Sequence, residues 1–69
     1  MKVFTCDDHV GHWAVPVGSV VVARDEIEAR AMLCAELRKH GLSPESGPMT
    51  LKPINLAAPN VVVLSDGEY

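Results

Sequence analysis

A chain of 69 residues has room for one hydrophobic core, so residues 1–69 form a single small domain and its function is carried by one compact module. Nine acidic against six basic residues give a net charge of −3, with no run of lysine or arginine, which argues against DNA or RNA as a partner. There is no apolar stretch of the roughly 18 residues that a membrane span requires, and the opening MKVFTCDD has no signal-peptide core, so the expectation is a soluble, cytoplasmic protein without membrane contact.

In chain order, KVFTC reads as the first strand. The stretch that follows, CDDHVGHWAVPVG, packs a thiol, two carboxylates and two imidazoles together and admits three readings. As a metal site, Cys6, His9 and His12 are ligand types suited to zinc, with Asp7 or Asp8 as a fourth, although structural zinc sites usually join two separated ligand pairs. As a catalytic site, Cys6 with His9 or His12 would imitate a thiolate–imidazole pair oriented by an aspartate. Nothing in the sequence supplies a phosphate loop, a nucleophile turn or a pocket, so no enzyme and no small-molecule substrate is expected. As a connection between strands, Asp7, Asp8 and Gly11 make turns, while Val10, Trp13, Val15 and Val17 form an alternating apolar set. In that reading Trp13 is either a lid over the sheet or, with His12, Val15 and Val17, the anchor for a protein partner.

SVVVA reads as the second strand, and RDEIEARAMLCAELRKHGL carries helix signals at both ends, predicting a helix over residues 26–40. Asp25 suits the N-cap and Glu28 completes a capping-box-like pair. Acidic residues open the helix, Arg38, Lys39 and His40 close it, and Gly41 suits a left-handed C′ position. Ile27, Ala29, Leu33, Cys34 and Leu37 are expected on the buried face, with Arg30 snorkelling outward. Cys6 and Cys34 are expected to be reduced thiols.

After a loop marked by Pro44, Gly47 and Pro48, MTLKPIN predicts a third strand, which Pro53 confines to an edge. Pro59 and Asn60 mark a turn, and NVVVL predicts a fourth strand before the acidic tail SDGEY. The expected fold is therefore α+β: ββαββ, a four-stranded, mainly antiparallel sheet with one helix on one face. The runs VVVA and VVVL do not alternate, so both sheet faces read as apolar, and one helix covers only one of them. The second face then needs a protein partner, a second copy or the chain's own loop.

At VVVARDEIEARAMLCAEL and VVVLSDGEY the chain resembles short uncharacterised proteins of bacteriophages and prophages, which pair a V-V-A-x-D-E-x-x-A-R-x-x-L segment with an ending like L-x-D-G-x-Y. The resemblance spans roughly two-thirds of the chain and leaves out the Cys6–Trp13 stretch. It implies a cytoplasmic accessory protein that acts by binding, and it brings no enzymatic activity with it. The leading expectation is thus a small non-enzymatic protein-binding or regulatory module. The alternatives are a zinc-binding domain built on Cys6, His9 and His12, and a structural homodimer.

Overall fold

A computed structural model describes residues 1–13 and 17–64, and its elements follow from local chemistry. Helix α1 spans Glu26–Lys39. Asp25 is its extended N-cap and accepts the Glu28 N–H at 2.8 Å. The Glu28 carboxylate reaches back one residue further than a standard capping box, to the Arg24 N–H at 2.8 Å. At the other end, Gly41 takes a left-handed φ of 79°, and the N–H groups of Gly41 and Leu42 donate to the carbonyls of Arg38 and Leu37, each at 3.0 Å. This is a Schellman closure, and it tucks Leu42 against the core.

The strands are β1 (Lys2–Cys6), β2 (Ser19–Ala23) and β3 (Lys52–Pro53), in the antiparallel order β2-β1-β3. The domain is α+β, with one helix on a three-stranded antiparallel sheet. β1 is central and pairs with β2 without a bulge, Lys2 opposite Ala23 through Cys6 opposite Ser19. β3 lies at the edge, as Pro53 requires, and the Ile54 N–H adds one more bond to the Val3 carbonyl at 2.8 Å. Phe4, Cys6, Val21, Ala23, Ala29, Leu33, Leu37 and Leu51 form the core between sheet and helix.

Two expectations need correction. Ile27 is 83% exposed rather than buried. The buried stripe is centred on Leu33, with Ala29 and Leu37 about 40° to either side, and at about 100° per residue Ile27 lies some 120° round from Leu33. The fourth strand is also missing: residues 61–64 pair with no other strand among the described residues, so the chain runs ββαβ rather than ββαββ. β-Propensity alone does not make a strand. β1 is flanked on both sides, β3 is two residues long and includes a proline that has no N–H to offer, and residues 61–64 meet the β2 side only where Leu64 lies against Gly18, leaving the outer edge of β2 unpaired.

Residues 60–64 are instead tethered at two points. The Asn60 amide donates to the carbonyls of Asn55 and Ala58, beyond β3, and Leu64 lies against Gly18, just ahead of β2. The anchors of this arm sit beside opposite edges of the sheet. Thr5, on the sheet face away from α1, is only 6% exposed, whereas Val20 and Val22 stay about half exposed.

Two glycine substitutions separate these features. Gly41→Ala should cost about 1 kcal/mol in urea unfolding, because a Cβ strains the left-handed turn although it meets nothing in space. Gly18→Ala brings a Cβ to 2.8 Å from the Leu64 Cβ, so its expected effect is local: faster amide exchange in residues 61–64 with little change in the helix.

Candidate functional site

The Cys6–Trp13 stretch folds against the C-terminal end of α1. Cys6 ends β1 with its sulfur in the core, 1% exposed, and its thiol donates to Asp8 Oδ1 at 3.3 Å. Burial raises the Cys6 pKa, with the neighbouring Asp8 charge adding to the effect, so the group stays a thiol. The same Asp8 oxygen accepts the Thr50 N–H at 2.8 Å, and this bond holds the Asp8 pKa below the ordinary carboxylate value. Asp8 thus clamps the end of β1 to the segment that leads into β3.

His9 is fully engaged. Its Nδ1 donates to the Val10 carbonyl at 2.8 Å, which fixes the tautomer and leaves Nε2 to accept the Ser19 hydroxyl at 2.8 Å. His12 Nε2 donates to the His40 carbonyl at 2.9 Å, giving the helix C-cap residue an external partner. All three histidines therefore line one cavity of about 360 Å³ beneath the loop, with Val10, Val17, Leu37 and Leu42 among its apolar walls.

The structure brings His9 and His12 to this cavity but sends the Cys6 sulfur into the core. The three expected zinc ligands do not converge, and among the described residues no group of three His, Cys, Asp or Glu side chains is placed to hold a metal ion. Of the expected partner-binding residues, His12 and Trp13 are exposed, Trp13 at 80%, and Val17 is half-buried beside Gly11. Val15 lies outside the described residues, as does the SDGEY tail. An indole this exposed is not a lid, because a lid buries its ring. Sequence reasoning did not pair His12 with the helix end. The only available signal was the unpaired carbonyls that any helix C-terminus presents.

Cys6 and Cys34 are both free thiols. No family model matches the sequence, and neither a curated protein nor a solved structure matches the chain. Among the described residues, no helix is long and apolar enough to cross a membrane.

Half-buried Cys34 should be alkylated by iodoacetamide in the native protein, while Cys6 is modified only as the domain unfolds; peptide mass mapping over time reads the order. Asp8 titrates with a folded pKa below its unfolded value, so the stability it contributes is present above the unfolded value and is lost as pH falls through the folded one. Asp8→Asn keeps an acceptor for Thr50 and should flatten the fall in melting temperature below roughly pH 4.

Proposed function

We propose that this chain is a small non-enzymatic binding module, a regulator or inhibitor that acts by contact with another protein. The observation that carries the reading is the apolar surface left outside by a domain whose core is already closed. On the face away from α1, Val20 and Val22 are 56% and 52% exposed. The arm adds Val61 at 87% and Val63 at 67%, and Leu56 before it is 67% exposed. Exposed apolar surface beyond isolated side chains marks interaction sites on small soluble domains. Trp13 belongs to the residue type most enriched among interface hot spots, and its backbone stands on a loop tied down by Asp8 and His12. A pre-positioned anchor loses less entropy on binding than a floppy one.

The hydrogen bonding of the histidines supports a structural role for them over a catalytic one, since His9 and His12 spend their ring nitrogens on holding the loop. The likeness to phage and prophage proteins, together with two reduced cysteines, favours an accessory protein of the bacterial cytoplasm.

Site-specific photo-crosslinking in the native host tests the reading. A photoreactive residue at Trp13 or Val61 should capture the same heterologous protein, and one at Ala35 on the outer side of α1 should not. Equal capture from all three positions, or adducts only with a second copy, would overturn it.

A further inference from the structure

We propose that two copies of this chain join through β2, antiparallel about a two-fold axis at Val21, to make one continuous six-stranded sheet. The pairing uses the edge of the sheet rather than its face or the Trp13 loop, so it stands independently of the binding reading above.

β2 is an outer strand, and among the described residues no backbone hydrogen bond reaches its free side. Exposed edges are normally blunted by charge, proline or a bulge. SVVVA has no charge and no proline, and its register with β1 is unbroken over five pairs. A groove of about 330 Å³ runs beside it, lined by Ser19, Val20 and Val21 from the strand and by Met32, Leu33 and Glu36 from α1. Consecutive strand residues point to opposite faces, so a groove that touches all three follows the backbone edge itself. This is the shape that strand addition requires: a free ladder on one wall and an apolar helix side on the other.

Charge selects a second copy as the occupant. Only two residues separate β2 from α1, so the helix runs back along the strand and Glu36 flanks the Ser19 end, while Arg24 leaves from the Ala23 end. An antiparallel two-fold at Val21 sets Ser19 against Ala23 and Val20 against Val22 of the other copy. It thereby delivers each Arg24 to the other copy's Glu36. Both side chains are available, 78% and 58% exposed, and within one copy they are engaged only in exposed pairs with Glu28, Lys39 and His40. The symmetric contact gives two such ion pairs and a valine stripe that continues across the junction.

Analytical ultracentrifugation of the full chain between 10 μM and 1 mM should show reversible association to twice the 7.4 kDa chain mass. Arg24→Glu and Glu36→Arg should each weaken dimerisation by about tenfold, and the double variant should restore it to within about threefold of the original. Isotope-filtered NMR on a mixed labelled sample should give intermolecular contacts between the Val20 and Val22 methyls. A monomer at 1 mM overturns the proposal. So does a dimer indifferent to both single reversals, a double variant that stays weak, or intermolecular contacts without the Val20–Val22 pair. A monomer that still crosslinks a heterologous protein from Trp13 leaves the binding reading standing and removes this one.

Discussion

One helix covers one face of a sheet, and the rest of this structure follows from which face α1 takes. Two residues, Arg24 and Asp25, join β2 to α1, so the helix folds straight back over the strand it has just left. Ala23 at the end of β2 and Ala29 in the first turns of α1 are both completely buried. Small side chains on both partners allow a close approach, and a valine in place of Ala23 would push the helix away. Ala23 therefore selects the face, and strict alternation then turns Val21 in and Val20 and Val22 out.

The residues richest in chemistry are used to hold the other end of the helix. Gly41 turns the chain, Leu42 returns to the core, and His12 supplies a donor to the His40 carbonyl that the Schellman closure leaves free. Asp8 gathers the Cys6 thiol and the Thr50 N–H, which connects the first strand to the third segment across 42 residues of sequence. In a domain this small, polar side chains do work that a larger core would do by packing. The result is a rim of committed hydrogen bonds around the C-terminal end of α1, and an apolar surface on the side where such bonds are absent.

The sequence made the local features readable and left the long-range ones hidden. Asp25, Glu28 and Gly41 act through neighbours three or four residues away, so their types and spacing suffice to place both helix ends. Pro53 is legible for the same reason: a missing N–H restricts a strand wherever the strand lies. The NVVVL segment has the composition of a good strand, but composition does not say which ladder it would join: β3 is shortened by Pro53, and the segment meets the β2 side only where Leu64 lies against Gly18. Ile27 would belong to a broad apolar face, whereas Ala29, Leu33 and Leu37 form a narrow one. The partners of His9 and His12 were invisible to spacing, since Ser19 and His40 lie 10 and 28 residues away.

β2 brings core, face and edge together in one strand. Its inner residues, Val21 and Ala23, belong to the core, its outer residues, Val20 and Val22, lie on the face away from α1, and its backbone forms the free edge. Face and edge differ in what they can accept. The face presents Val20 and Val22 as an apolar surface. The edge demands an extended backbone in register and tolerates no substitute for its hydrogen bonds. A partner on the face gains affinity from apolar contact and can vary in shape, whereas a partner on the edge is selected by geometry and by the charges at its two ends.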